Sequence, residues 1–270
     1  MNDFINILSA TFIQRALIAG IVVGFLGSFY AAFVVQRRMS FLGDGLAHSA
    51  FGGIALGILL GTEPMWIALP ATVIVAIAIT LLKEKTELGS DTAIGIFFAV
   101  SMALGILFLS LKKNYSVDAF TYLFGSILMV QKTDLYASII LALVTLIISA
   151  KYWHRWAYAT FDAELAKSDR HNVRRDDYVL SVMIALTVVF SIKLVGIVLI
   201  AAYLVIPAAA SRLVSKTFFS MTVLSIIFGV IASVAGLLIS IAFDLPSGSV
   251  IILTQATIFL LALIFSKIKT

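Results

Sequence analysis

The sequence predicts an all-α protein that crosses a membrane about nine times as a bundle of helices. Hydrophobic residues make up 61% of the 270-residue chain, charged residues make up 12%, and the mean hydropathy is +1.11. Apolar runs of about 20 residues, the length that a helix needs to span the hydrocarbon core, follow one another along the chain. This composition excludes a soluble globular protein. We expect a single transmembrane domain over residues 1–270.

Short charged segments separate the apolar runs and so place the individual spans. The expected spans are residues 12–35, 42–61, 65–82, 92–111, 132–150, 178–192, 194–210, 217–243 and 249–267. The sixth and seventh are short and are separated only near Lys193, so they are two spans, a broken pair or partial spans, and a model with eight spans stays open. Pro207 is expected to kink the seventh span, because proline removes a backbone donor.

Lysine and arginine are distributed unequally between the two sides of this bundle. With nine spans and the N-terminus outside, fourteen of the 19 basic residues lie on the inner side and five on the outer side. The positive-inside rule therefore predicts an outer N-terminus and an inner, cytoplasmic C-terminus. The net charge of +5 does not indicate nucleic-acid binding, because the basic residues lie in short loops between apolar runs.

The second span carries two ionisable residues, Asp44 and His48, four residues apart. On a helix this spacing is a rotation of about 400°, so the two side chains lie on one face, one turn apart. Ionisable residues within a membrane are costly and usually line a pathway. A carboxylate and an imidazole can share a divalent cation such as zinc, manganese or iron. We interpret the pair as a metal site; the alternative is an aspartate that only caps a helix or complements its dipole.

The same span carries three glycines, Gly53, Gly57 and Gly61, at four-residue spacing. Gly53 is nine residues from Asp44, a rotation of about 900°, so the glycine ridge lies opposite the Asp44 and His48 face. Glycines at this spacing allow the backbone of a neighbouring helix to approach closely in a membrane. We therefore expect one face of the span to hold the chemistry and the other to pack into the bundle.

The longest polar stretch, residues 151–177, lies on the predicted inner side and contains six basic and five acidic residues. Within it, Phe161–Lys167 is typical of a short helix, since acidic residues come first and a basic residue comes last, as the helix dipole favours. From composition alone the stretch is either a solvated loop or a docking helix for a cytoplasmic partner. On the outer side, residues 118–128 have the pattern of a re-entrant or interfacial half helix.

Several functional classes are excluded or disfavoured. The chain has no cysteine, which excludes disulfides, thiolate metal sites and cysteine catalysis. It has no G-x-x-x-x-G-K-[ST] motif, so it does not bind ATP through a Walker loop. His48 is the single histidine within a span, so one protomer cannot form a three-histidine site there. We therefore expect a transport subunit rather than an enzyme.

The region around Asp44 resembles a signature of a known permease family. Residues 38–48 read RMSFLGDGLAH and are similar to the R-M-S-x-x-G-D-x-L-x-H pattern of the membrane permeases of zinc, manganese and iron ABC importers. Later motifs of that family are similar to residues 118–126, 162–166, 193–196, 205–209 and 244–248. The resemblance covers nearly the whole chain. It departs at Ala163, where the family usually has proline, and this departure leaves the start of the coupling helix less defined.

The resemblance implies a homodimeric permease in a bacterial plasma (inner) membrane. Its partners would be a dimer of cytoplasmic ABC ATPase subunits, which hydrolyse the ATP, and an extracytoplasmic metal-binding protein. Asp44 and His48 would lie along the translocation path. The ATPase-coupling residues would be Phe161, Asp162, Glu164 and Leu165.

The resemblance also bears on the cargo. No cofactor is expected to be bound permanently, because the metal is transported. The wording G-D-x-L-A-H followed by small residues looks more like the zinc branch of the family, so zinc is favoured, with manganese or iron next. Two rival functions stay open: a proton-coupled secondary metal transporter that uses Asp44 and His48 as a relay, and an intramembrane metal-dependent hydrolase.

Overall fold

The computed structural model describes residues 10–86, 88–112 and 130–268. For residues 267 and 268 only the backbone is described. In these ranges the chain is helical and has no strands. The helices are α1 (Thr11–Gln36), α2 (Leu42–Leu60), α3 (Pro64–Lys85), α4 (Ser90–Leu111), α5 (Lys132–Phe161), α6 (Ala163–Ser168), α7 (Val173–Val195), α8 (Ile197–Tyr203), α9 (Ile206–Val214), α10 (Phe218–Phe243) and α11 (Ser247–Ile268). The predicted half helix at residues 118–128 lies outside the described residues.

The prediction of nine spans is confirmed: within the described ranges, nine helical segments are long and apolar enough to cross a membrane. Most begin and end within a few residues of the positions that hydropathy predicts. The fifth is longer, because α5 continues from residue 150 to Phe161 through a polar but helical segment. The sixth is also longer, since α7 begins at Val173 within the charged stretch. Residues 151–177 are therefore mostly helical rather than a loop.

The seventh span, Ile197–Val214, is interrupted rather than kinked. Gly196, with φ of 84°, ends α7 and allows α8 to start immediately. Helix α8 ends at Tyr203, Val205 has non-helical backbone angles, and α9 restarts with Pro207 in its first turn. Proline fits a first turn because its missing N–H has no partner to lose there. The break is stronger than the predicted kink because α9 starts afresh at the proline instead of bending around it.

Helix α2 lies inside the bundle and organises the packing around it. It packs most extensively against α3 and α4, and also against α7 and α8. Helix α10 packs between α1 and α11, which completes the other side of the bundle. Helices α4 and α5 each present a row of exposed apolar side chains on their outer faces, including Ile106, Leu107, Ile140 and Ile147. Such faces suit contact with lipid.

The predicted glycine ridge of α2 is confirmed at two of its three positions. A Cβ atom placed on Gly53 would lie 2.6 Å from the Cα atom of Ala68, and one on Gly57 would lie 2.7 Å from the Cα atom of Pro64. Both contacts are to the backbone of α3, so the two helices are in close approach there. The prediction is wrong for Gly61, which has no neighbour within 4 Å and instead ends α2 in the left-handed conformation, with φ of 69°.

The close approach of α2 and α3 predicts a clear difference between two glycine substitutions. Gly53→Ala should lower the free energy of unfolding by about 1–3 kcal/mol, because a methyl group there overlaps backbone that cannot rotate away. Gly95→Ala is the control, since Gly95 lies in the second turn of α4 with open space around it. There the better helix propensity of alanine should leave stability unchanged or raised by up to about 1 kcal/mol. Thermal unfolding in detergent measures both; equal stability of the two variants would contradict the packing.

Candidate functional site

The first two turns of α2 carry both residues of the predicted metal pair. Helix α2 begins at Leu42, and Asp44 lies in its first turn. The N-cap position is occupied by Phe41, and the carboxylate of Asp44 makes no hydrogen bond within the described part of the chain. Asp44 is therefore not a helix cap, and its half-buried carboxylate oxygens are available to a ligand.

His48 lies one turn further along α2, on the same face as Asp44, as its spacing predicts. Its ring nitrogen Nδ1 is 2.9 Å from the backbone carbonyl oxygen of Asp44. A carbonyl oxygen only accepts hydrogen bonds, so Nδ1 carries the proton and donates it. In the neutral imidazole the other nitrogen, Nε2, then has the lone pair, which is the form of imidazole that binds a metal.

Helix α4 fixes the orientation of the imidazole ring. The ring of Phe98 packs against His48, with 4.5 Å between the ring centroids. Small residues bring the two helices together just beyond this contact. Ser101 donates a hydrogen bond of 3.1 Å to Ser49, and a Cβ atom on Gly52 would lie 2.9 Å from the carbonyl oxygen of Ser101. The ring of His48 is thus held between a hydrogen bond to its own helix and an aromatic contact to the next.

The pair provides two potential metal ligands, one carboxylate oxygen donor and one imidazole nitrogen. No group of three or more histidine, aspartate, glutamate or cysteine side chains that could hold a metal ion occurs among the described residues. Closed structural zinc sites use four protein ligands, and catalytic sites use three. Two ligands fit a site that binds an ion briefly and releases it.

The predicted coupling segment forms a separate surface at the end of α5. Helix α5 ends at Phe161, and the side chain of Asp162 accepts a 2.8 Å hydrogen bond from the backbone N–H of Leu165, which starts the six-residue helix α6. Glu164 lies in the first turn of α6 and Lys167 in the last, an order that matches the helix dipole. The aspartate cap gives α6 a defined start, although Ala163 stands where the resembled family usually has proline.

The coupling segment is exposed where a partner could reach it. The side chains of Phe161 and Leu165 are 62% and 51% exposed, and Asp162 and Glu164 are also exposed. Ala166 is buried and holds the inner face of α6 against the bundle. An apolar and acidic surface on a short, firmly anchored helix is suited to docking, since exposed aromatic and aliphatic side chains are the usual anchors of protein interfaces.

The structure also brings together a network that the sequence did not reveal. Arg37, which follows α1, bonds to Asp177 of α7 and to two residues in the last turns of α5, Thr160 and Trp156. Next to it, the carboxylate of the buried Asp176 is 2.9 Å from Arg155. The sequence shows only a basic pair and a charged stretch, separated by more than 100 residues, and gives no signal of their pairing.

The metal pair and the coupling segment are distinct sites. Asp44 and His48 lie within α2, whereas Phe161–Leu165 lies at the surface beside the α1–α2 turn. A cavity of about 300 Å³ separates them; it is lined on one side by Ala163 and Lys167 of α6 and on the other by Met39 and Leu42 at the start of α2. The two sites therefore do not contact each other directly.

The amino-acid sequence matches the family described as the ABC 3 transport family over residues 9–266. The manganese import system permease protein ScaB of Streptococcus gordonii is 37% identical, and the match covers 93% of this chain and 90% of that protein. The high-affinity zinc uptake system membrane protein ZnuB of Haemophilus influenzae is 35% identical, covering 92% and 95%. The manganese transport system membrane protein MntC of Listeria monocytogenes is 32% identical, covering 97% and 93%.

Solved structures share the same fold. A chain of PsaBC from Streptococcus pneumoniae, determined in complex with Fab, superposes with a TM-score of 0.84 at 37% identity, and the match covers 97% of this chain and 94% of that one. A metal-chelate type ABC transporter in an inward-facing conformation superposes with a TM-score of 0.73 at 16% identity, which shows likeness of fold alone. The chain therefore belongs to the ABC 3 transport family, as a multi-pass permease subunit of an ABC transporter rather than an enzyme.

Proposed function

We propose that this chain is the permease subunit of an ATP-driven importer of divalent transition metal ions, with zinc favoured as cargo and manganese or iron next. The observation that carries the proposal is the pair formed by Asp44 and His48. The carboxylate of Asp44 has no hydrogen-bond partner among the described residues, and the imidazole of His48 is held with Nε2 free to coordinate. The relatives named for manganese and for zinc transport support a metal as the class of cargo and do not distinguish between the two.

The number of ligands supports transport of the metal rather than its permanent binding. An imported ion has to leave the site again, so the site must bind weakly enough to release it. The described part of one protomer offers two ligands in this pair, and a second copy of the permease in a homodimer would offer an equivalent pair by symmetry. Solvent could complete the coordination. The resident metal of an enzyme would need a more complete ligand set, which favours a transport role over the hydrolase rival.

The choice of zinc rests on ligand chemistry as well as on the resemblance of the motif. Imidazole nitrogen suits zinc, whereas sites made mainly of carboxylate, carbonyl and water oxygens suit manganese. For a given set of ligands, zinc also binds more tightly than manganese in the Irving–Williams order. A mixed pair of one imidazole and one carboxylate therefore favours zinc.

The proposal assigns an orientation and partners to the chain. The single permease domain, residues 1–270, lies in a bacterial plasma membrane with its N-terminus outside and its C-terminus in the cytoplasm. Helix α6 then faces the cytoplasm, where the ATPase dimer docks on Phe161, Asp162, Glu164 and Leu165. An extracytoplasmic metal-binding protein delivers the ion at the opposite end. The excess of basic residues on the α6 side supports this orientation.

The metal pair predicts the behaviour of single substitutions. Asp44→Ala and His48→Ala should each lower zinc uptake by at least about tenfold, because losing even an outer-shell partner of a metal ligand costs 10–100-fold. Asp91→Ala is the matched control, since Asp91 is an exposed aspartate in the first turn of α4, as Asp44 is in α2. Radioactive zinc and manganese uptake in cells, with protein amount measured by blotting, gives the result. Near-normal uptake of both metals in both variants would refute the site, and stronger uptake of manganese than of zinc by the natural protein would reverse the preference.

The coupling segment predicts a separable defect. Replacing Glu164 and Leu165 together by alanine should release the ATPase on purification or leave ATP hydrolysis without transport, because both side chains are exposed on α6 and support little of the fold. The matched control is the pair Glu63 and Leu60, likewise one exposed glutamate and one exposed leucine, at the opposite end of α2. Co-purification and uptake are measured together. An intact complex with unchanged uptake in the α6 variant would exclude this docking surface.

The source of energy distinguishes the proposal from its transport rival. Permease alone in liposomes should pass no zinc, whereas permease with its ATPase, ATP and the metal-binding protein should carry zinc inward, and leaving out any one component should stop the flux. A zinc-sensitive dye inside the vesicles reports entry. Zinc that enters vesicles containing only the permease when a proton gradient is applied would establish a proton-coupled secondary transporter instead.

A further inference from the structure

The turn between α1 and α2 is a tight, packed connection. Arg38 adopts the left-handed conformation, with φ of 55°, and the N–H of Met39 bonds back to the carbonyl oxygen of Val34 at 3.0 Å. This pattern is that of a Schellman motif, which fixes the direction in which the chain leaves a helix. Met39 and Leu42 are then buried, at 8% and 4% exposure. A displacement of the end of α1 therefore moves the start of α2, where Asp44 lies.

The side chain of Arg37, at the end of α1, holds this turn to two other helices. Its Nε donates to the hydroxyl of Thr160 at 2.9 Å, its Nη1 to the carboxylate of Asp177 at 2.6 Å, and its Nη2 to the carbonyl oxygen of Trp156 at 3.4 Å. The side chain is only 9% exposed. Its three nitrogens thus join α1 to the end of α5 and to the start of α7. A lysine, with one compact ammonium group, cannot reproduce this fork.

These two helices are also the ones that hold the coupling helix. Helix α6 packs against α5 and α7. Thr160 is two residues from Asp162, whose side chain caps α6. A force applied to α6 therefore acts on the segments that Arg37 binds.

No direct route of comparable strength runs from α6 to α2. The cavity of about 300 Å³ lies between them, with Ala163 and Lys167 on one side and Met39 and Leu42 on the other. Movement of α6 therefore reaches α2 through the helices that line this cavity rather than through extensive direct packing. One path around the cavity, with an ion pair to α7 and hydrogen bonds to α5, runs through Arg37.

We propose that Arg37 is a positioning residue that transmits movement of the coupling helix to the metal pair on α2. This inference rests on the proposed function, because it needs both an ATPase on α6 and an ion at Asp44 and His48. Movement of the ends of α5 and α7 near α6, toward or away from each other, would shift Arg37. The rigid turn between α1 and α2 would carry this shift to the first turns of α2. Arg37 touches neither the ion nor the ATPase in this scheme.

The test measures zinc transported per ATP hydrolysed. The permease is purified with its ATPase, reconstituted with the metal-binding protein, and assayed for both quantities in the same vesicles. Arg37→Ala should lower the ratio about five- to tenfold while ATP hydrolysis continues, since substitutions along a coupling path weaken the coupling between two sites. Arg37→Lys, which keeps the charge opposite Asp177 but not the fork, should recover part of the ratio.

A matched control separates transmission from general loss of an ion pair. Arg174 on α7 forms an interhelical ion pair with Glu84 of α3 at 3.0 Å, but it is 60% exposed and does not bond to α1 or α5. Arg174→Ala should leave the ratio unchanged. Asp177→Asn is the second variant if Arg37→Ala does not fold; it keeps the bonds of Arg37 to α5 and should lower the ratio in the same direction.

The outcomes are distinct. An unchanged ratio in Arg37→Ala would overturn the inference and make Arg37 purely structural. The same conclusion follows if transport and ATP hydrolysis fall in proportion because the variant is less stable. If only Asp177→Asn can be assayed, a normal ratio in that variant overturns it. Failure of the natural protein to carry zinc with ATP would instead contradict the proposed function itself.

Discussion

The constraint on which this structure depends is the cost of a charged side chain away from water. Along the described helices, three pairs of charged residues lie near the ends of spans: Arg37 with Asp177, Arg155 with the buried Asp176, and Lys193 with Asp134 at 2.9 Å. Each pair also ties two helices together, so the same interactions that make the charges tolerable fix the arrangement of the bundle. Asp44 departs from this pattern. Its carboxylate lies in a span without a lysine or arginine partner among the described residues, which is the condition in which a metal ion would be its best counter-charge.

The packing around α2 explains how one helix can serve both the structure and the proposed metal site. Its glycine face contacts the backbone of α3, its serine and glycine positions contact α4, and Gly43 contacts Leu204 beside the broken span. Since small residues occupy these contacts, the neighbouring helices approach the backbone of α2 closely. The remaining face, with Asp44 and His48, is half exposed. The face with Asp44 and His48 therefore stays accessible because neighbouring helices cover the other faces of α2.

Much of this architecture could be predicted from the sequence, because hydropathy and helical periodicity are local properties. They gave nine spans, the shared face of Asp44 and His48, the contact of Gly53 and Gly57 with a neighbouring helix, and the short helix after Phe161. The role of Gly61 was missed because it depends on a backbone angle. The Nδ1 hydrogen bond of His48 and the Phe98 contact depend on rotamers and helix packing, and the pairing of Arg37 with Asp177 joins residues 140 positions apart. None of these three contacts leaves a local pattern in the chain.

The break in the seventh span has a consequence for how the bundle can deform. Helix α8 packs most extensively on α2, whereas α9 packs most extensively on α10 and α11, although both also contact α1 and α8 also contacts α11. An intact helix here would have to lose internal hydrogen bonds to bend, but residues 204 and 205 can absorb a rotation in a few backbone dihedral angles. The two halves of the span can therefore change their mutual angle without unwinding either helix, and the hydroxyl contact between Tyr203 and Ser233 lies beside this break.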